Sequence, residues 1–270
     1  MRFWTILGLN ILWAIGFLAA QATPFELVRE QRQVRVGDAT ETWQLIWEAK
    51  PSSVCGPEEV DMAITCPCSG WAYGQYGKLA LKRLRKGREV ERIELAPFFG
   101  QFDYPYADKL KGTAYIQRWP MKDDDFDREN RGDKTLIADI ERRPTTELMK
   151  LADYDHDGNA TEFLLQVGTM PCGKLQFAAF GVSPNDPHLH ALSSAAHPNQ
   201  PLFMPMDAWN ALLKSNKPTE VPTWACGDHG SDEKDTLIIY ADHGVIHVKQ
   251  REYSCPENGS PGKLVKETDG

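Results

Sequence analysis

The chain has 270 residues, of which 41% are apolar, 10% aromatic and 25% charged, a composition that excludes a disordered chain. Its formal charge of −8 argues against the basic stripe of a nucleic-acid binder and against a polybasic membrane-surface protein. A chain of this length can bury a real core, in one domain or two small ones.

Met1 and Arg2 precede an apolar run from Phe3 to Ala20, and Ala20-Gln21-Ala22 offers small residues at the −3 and −1 positions of a cleavage site. That is the layout of a secretory signal peptide over residues 1–22. The run is also just long enough to span a bilayer, so the competing reading is an uncleaved N-terminal anchor. Residues 23–255 read as a β-rich globular region, with a division into two subdomains near 97–134 as the alternative. Residues 256–270 are Gly- and Pro-rich and are expected to be a disordered tail.

Within the globular region, Thr42 to Glu48 is a first strand with Trp43, Leu45 and Trp47 on one face, and Val60 to Thr65 is a second apolar run. Gly70, Gly74 and Gly77 alternate with Trp71, Tyr73 and Tyr76 in an aromatic loop. Between Lys78 and Leu95 the sequence is symmetric about Gly87. Leu79 should face Leu95, Leu81 face Ile93, Leu84 face Val90, Arg83 face Glu91 and Arg85 face Glu89, through a loop of about three residues. The parity of apolar residues shifts between Leu81 and Leu84, which predicts a bulge or strong twist. Thr113 to Trp119 is a possible strand. Asp123, Asp124, Asp125 and Asp127 read as a solvated acidic loop, with a second ion site as the weaker alternative. Asp133 to Arg142 is expected to be a strand, and so are Glu162 to Val167 and Leu175 to Val182, joined by a turn containing Gly168, Pro171 and Gly173.

Asp186 to Pro201 reads as loop, so His188, His190 and His197 are taken as exposed rather than metal-binding. Asp207 is a candidate N-cap for a helix over Ala208 to Lys214 that buries Trp209, Leu212 and Leu213. Thr236 to Ala241 and Val245 to Tyr253 form a hairpin around His243-Gly244. Cys226 and Cys255 bracket that hairpin and are expected to approach each other. The other cysteines are Cys55, Cys66, Cys68 and Cys172. In an exported chain this even number reads as disulfides whose full connectivity stays open. Cys66 and Cys68 are too close for easy bonding to each other, and a metal or redox role for them ranks below structural bonding, since no His follows at metal-finger spacing. The fold class is therefore mainly β, or β-rich α+β: a sandwich-like or sheet-rich globular domain with one short helix. No repeat of fixed period supports a propeller.

The most informative stretch is Asp153-Tyr154-Asp155-His156-Asp157-Gly158-Asn159-Ala160-Thr161-Glu162. Carboxylates at alternate positions of a tight loop turn inward together, Gly158 falls where such loops bend, and a hard cation such as Ca²⁺ requires several oxygens of this kind. Without an ion the three aspartates repel one another. The stretch resembles calcium loops of the D-x-D-x-D-G type. The EF-hand form is the poorer likeness, because Leu164 stands where that form has a bidentate Glu. The loop of FG-GAP and integrin-type repeats, which runs directly into a strand, is closer, and Glu162 to Val167 fits that exit. The resemblance covers only this stretch and implies Asp153, Asp155 and Asp157 as side-chain ligands and Asn159 as a carbonyl ligand. It places Thr161 at the position the family fills with a carboxylate, with Glu162 next in line. His156 is expected to point away from the ion and lie exposed.

No nucleophile elbow, phosphate loop, zinc-protease helix or dinucleotide glycine pattern is present in the sequence. Asn159-Ala160-Thr161 and Asn258-Gly259-Ser260 match N-glycosylation acceptors. The leading expectation is a secreted or periplasmic, disulfide-stabilised protein with one structural Ca²⁺. It would have a non-catalytic role, toward an exterior protein or glycan partner, with no nucleic acid and no membrane beyond the possible N-terminal anchor. The rival is an extracytoplasmic hydrolase, with glycans as its candidate substrate and calcium as a structural accessory; the aromatic stretch Trp71, Tyr73 and Tyr76 reads first as core, with a carbohydrate platform as the alternative. A redox or metal-handling role for Cys66 and Cys68 is a third.

Overall fold

The computed structural model describes residues 25–59, 71–100, 110–170, 174–255 and 262–270. The signal-like segment, the Val60 to Thr65 run, Cys66, Cys68, Cys172 and the Asn258 acceptor lie outside the described residues. The described chain is mainly β. Its strands are β1 (Leu27–Val36), β2 (Ala39–Trp47), β3 (Ser52–Val54), β4 (Gly74–Gly77), β5 (Leu79–Arg85), β6 (Arg88–Glu94) and β7 (Ala114–Gln117), then β8 (Phe163–Met170), β9 (Lys174–Ser183), β10 (Asp186–Ala191), β11 (Thr219–Trp224), β12 (Glu233–Asp242), β13 (Val245–Ser254) and β14 (Leu264–Asp269). They form four antiparallel sheets in the orders β1-β2-β5-β6, β3-β4-β7, β10-β9-β8 and β11-β12-β13-β14.

The first sheet shows why its sequence folds this way. Trp43, Leu45 and Trp47 alternate along β2 and are fully buried. Each contributes roughly 1.5–3 kcal/mol of transfer free energy. Leu81 faces Ile93 and Arg83 faces Glu91, as the symmetry about Gly87 requires. Nearer the turn the expected register fails: Leu84 faces Glu89 and Arg85 faces Arg88. The connection is only two residues, Lys86 (φ 51°) and Gly87 (φ 76°), the paired positive φ of a type I′ turn. The residue this shorter turn releases is absorbed by a register shift between Arg83 and Leu84, where the parity break predicted a bulge. Arg85, freed from Glu89, reaches the buried Glu41 instead, with Nη2 donating to Oε1 at 2.6 Å.

Three helices accompany the sheets among the described residues: α1 (Asp125–Asn130), α2 (Leu136–Glu141) and α3 (Met206–Lys214). The first two correct the sequence reading. Asp133 to Arg142 is not a strand. Leu136 and Ile140, four apart on one helical face, are buried with Tyr73 and Trp119 in a small separate core. An apolar pair at i and i+4 satisfies both periods, so burial against Tyr73 decided for helix. The acidic run is not wholly solvated either. Asp125 is fully buried and takes a bidentate bond from Arg143 at 2.6 and 2.7 Å, with further bonds from the Tyr73 hydroxyl and the Lys122 amide.

In the third helix, Trp209 and Leu212 are buried but Leu213 is exposed. The N-cap is Pro205, with no side-chain cap from Asp207. Asp186 to Pro201 is not all loop, since Asp186 to Ala191 forms β10. This is an edge strand, where Pro187 can stand without breaking a ladder on both sides. The tail expected to be disordered contributes β14, paired with β13 from Lys249↔Asp269 to Tyr253↔Leu264.

Two larger cores flank the β8–β9–β10 sheet. Phe163, Leu165, Ala178 and Phe180 point into the first, with Trp43, Trp47 and Leu81. Ala179 belongs to the second, with Trp209, Leu212, Ile239 and Ile246. The alternation along β9 thus makes this sheet the shared wall of both. Cys226 and Cys255 are disulfide-bonded across the open end of the β12–β13 hairpin, Cα atoms 5.6 Å apart, as their bracketing of that hairpin predicted. Cys55 is disulfide-bonded as well. No helix of the described residues is long and apolar enough to cross a membrane.

Candidate metal centre

The Asp153 to Glu162 loop enters and leaves through an antiparallel bridge between Ala152 and Glu162, whose amides and carbonyls bond reciprocally at 2.8 and 3.2 Å. That closure brings position 162 back beside position 153 and launches β8. The bend is made by His156 (φ 54°) and Gly158 (φ 91°). The loop then folds its own amides onto its carboxylates. Asp153 accepts from the amides of Asp157 and Gly158 at 3.0 and 3.1 Å, and Asp155 Oδ1 accepts from Asp157 at 3.2 Å.

Three carboxylates converge. One oxygen from each of Asp153, Asp155 and Glu162 lies within 4.8 Å of the other two. Two oxygens that each sit about 2.4 Å from one Ca²⁺ are at most about 4.8 Å apart, so the triad has the spacing of a shared hard cation. Asp155 is 1% exposed and Glu162 fully buried. Glu162 Oε2 accepts from the Tyr154 amide at 2.9 Å, and its Oε1 accepts from the Thr161 hydroxyl. Asp155 Oδ2 is buried and accepts no hydrogen bond, an uncommon condition for a carboxylate oxygen in a folded protein.

Burial pushes the Asp155 carboxyl up to about 7, reinforced by the charges of Asp157 and Asp153. Burial pushes Glu162 up to about 8, against the pull of the Thr161 bond, with the Asp155 charge adding to the rise. Both shifts have the sign that an uncompensated cluster of like charges produces in a low-dielectric site.

The other residues that the resemblance singled out sit differently. Asp157 Oδ1 is engaged by the backbone and side-chain amides of Asn159, at 2.6 and 3.1 Å, and Asn159 itself is exposed. Thr161 is buried, its hydroxyl also meeting the Val182 carbonyl at 3.1 Å. Glu162, adjacent to the position the family fills with a carboxylate, is the residue the bridge with Ala152 carries into the cluster.

Sequence reasoning missed three supports. His156 is half-buried rather than exposed, its Nε2–H 2.5 Å from the Leu212 carbonyl at the end of α3. A positive φ at a non-glycine residue had no visible signal in the sequence. At Gly181 on β9 a Cβ would lie 2.4 Å from the Thr161 carbonyl, and at Gly244 (φ 82°) it would lie 2.8 Å from Pro184. Those two glycines let β9 and the β12–β13 turn close on the loop. His188 and His190 each meet a protein oxygen. His188 meets Glu91 and His190 meets the His188 carbonyl.

Comparison with protein-family models, with curated proteins and with solved structures finds no match.

Proposed function

We propose that this chain is an exported β-rich protein that binds one structural Ca²⁺ through Asp153, Asp155 and Glu162 and serves a binding or structural role outside the cytoplasm rather than a catalytic one. The single observation that carries the reading is the buried, unpartnered Asp155 oxygen inside a triad of carboxylates with the spacing of a shared ion. A hard divalent cation would neutralise an oxygen that no hydrogen-bond donor among the described residues reaches. Calcium is favoured over magnesium because a cluster of protein carboxylates suits calcium's flexible all-oxygen coordination, whereas magnesium usually keeps several of its waters. Export is supported by the signal-like N-terminus and by the Cys226–Cys255 disulfide.

A cavity of about 520 Å³ is walled by apolar residues such as Leu148, Leu164, Phe177 and Met206. Among the described residues its walls carry one carboxylate, Glu147, and Arg32 already holds that group at 2.5 Å.

Isothermal titration calorimetry of the purified protein tests the ion. One Ca²⁺ per chain is expected, with binding lost in Asp155→Asn and Glu162→Gln. No heat at about 1 mM Ca²⁺, together with a melting temperature that EDTA leaves unchanged, overturns the reading.

A further inference from the structure

We infer that the ion is a latch, fastening the β12–β13 turn and the end of α3 to the edge of the central β8–β9–β10 sheet, and that ion release frees them. This inference rests on the calcium reading above and adds the consequence of occupancy for the rest of the fold.

Besides the edge-on ring contact of Tyr154 with Trp209 in the second core, the loop hydrogen-bonds the C-terminal half at two points among the described residues, both one residue or less from the buried ligand. The Asp155 carbonyl accepts the Gly244 amide at 2.9 Å, and His156 donates to Leu212 at 2.5 Å. Gly244 belongs to the two-residue turn His243-Gly244, with both φ positive. A Cβ on it would stand 3.5 Å from Asp155 Oδ2, so this turn packs directly against the unpartnered oxygen. The residue whose side chain carries the charge therefore carries, on its own carbonyl, the bond that holds the turn.

Packing around this contact is thin. A cavity of about 270 Å³ lies in the same seam, lined by the polar residues Asp155, Ser183, Asn185 and Ser194 on one part and by Leu192, Pro198 and Ile246 on another. Beyond it the hairpin is held by the bond from the Ala195 amide to the Ile246 carbonyl at 2.7 Å, and α3 is held at its middle by Trp209 donating to Phe177. Those contacts lie farther from the ion and keep the C-terminal sheet attached. The loop adds one bond to the turn and one to the end of α3, whose Leu212 side chain is itself buried in the second core.

With the ion gone, Asp153, Asp155 and Glu162 repel one another at short range in a site of low dielectric. Where it does not take up a proton, Asp155 finds relief by swinging its carboxylate toward water. That motion rotates its peptide, breaks the bond to Gly244 and withdraws His156 from Leu212. Water then enters the seam cavity, whose serine and asparagine walls solvate readily. Local opening of this kind belongs to the low-stability end of a protein's motions and needs no global unfolding.

Hydrogen–deuterium exchange on the full chain, in Ca²⁺ and in EGTA, tests the latch, with calorimetry on the same sample. Removing Ca²⁺ is expected to speed exchange in peptides spanning 206–214 and 240–248 by about tenfold or more, while the β5–β6 hairpin at 79–94 stays unchanged. In His156→Ala, which keeps all three carboxylates, Ca²⁺ is expected to bind without restoring protection at the end of α3. If calorimetry shows Ca²⁺ binding but exchange at 206–214 and 240–248 is identical in both buffers, the latch is wrong and the ion site stands. If Ca²⁺ does not bind, both readings fall.

Discussion

Asp155→Asn separates an ion-dependent site from an ordinary buried turn, because the two predict opposite signs. In the ion-free wild type, Asp155 has a carboxyl lifted by burial from an ordinary 3.8 to about 7. A raised carboxyl means the folded state holds its proton more tightly than the unfolded state does. Stability is therefore complete below the unfolded value and is lost as pH rises between 4 and about 7. Over roughly three pH units, at about 1.36 kcal/mol each, the ceiling is about 4 kcal/mol.

Part of that is screened by solvent, and part belongs to the neighbouring Glu162, whose charge is coupled to that of Asp155, so we take about 2 kcal/mol for Asp155 alone. Asparagine has the same shape and no charge, and its amide can donate to Asp153 or Glu162. In EDTA at pH 8, Asp155→Asn should therefore raise the melting temperature by about 4–8 °C, and at pH 4 it should change little. In saturating Ca²⁺ the sign reverses. Wild type gains about 2.7 kcal/mol at a hundred-fold excess over Kd, and the variant gains almost none. Differential scanning fluorimetry at two pH values, with and without Ca²⁺, reads all four corners. If Asp155→Asn lowers stability by the same amount in every corner, Asp155 is a structural turn residue and the reasoning fails.

Gly244→Ala forces a side chain into a left-handed turn against Pro184 and should cost about 1–3 kcal/mol by thermal melt; an unchanged melt would mean the turn is not packed on Pro184. Arg143→Met leaves Asp125 buried and unpaired and should cost about 3–5 kcal/mol in urea denaturation, much of it recovered by Asp125→Leu in the same chain. Reducing Cys226–Cys255, or replacing both by serine, removes a constraint spanning 29 residues and should lower stability by about 3–4 kcal/mol; no change on reduction would mean the hairpin closes as well without it. Glu41 is opposed by burial, but Arg83, Arg85 and Trp43 hold its carboxyl down to about 2. Its contribution is present above the ordinary glutamate value near 4.5 and is lost as pH falls toward 2. Glu41→Gln should accordingly flatten the acid limb of the stability–pH curve followed by circular dichroism.

Local patterns in the sequence were enough for the β class, for the pairing of Leu81 with Ile93 and Arg83 with Glu91, for the bend at Gly158 and for the approach of Cys226 to Cys255. Each of these is carried by neighbours in the chain, through the two-residue period of a strand, opposite charges across a hairpin or a glycine at positive φ. What lay beyond local pattern was decided by contacts between distant segments. The alternation at Leu136 and Ile140 fits strand and helix equally, and only Tyr73 and Trp119, far away in sequence, supply the pocket that makes it helical. Asp125 looks like one more solvated acid until Arg143 folds over it.

The metal centre divides in the same way. Asp153 and Asp155 were visible from their spacing, because loop geometry is local. The central part of Glu162 was not, since it follows from the bridge that returns position 162 to Ala152. The burial that makes charge costly on this carboxylate and Asp155 comes from β9 and the β12–β13 turn closing over them at Gly181 and Gly244. Charge can be counted along a chain, whereas the dielectric around it is set by whatever the rest of the chain packs against it.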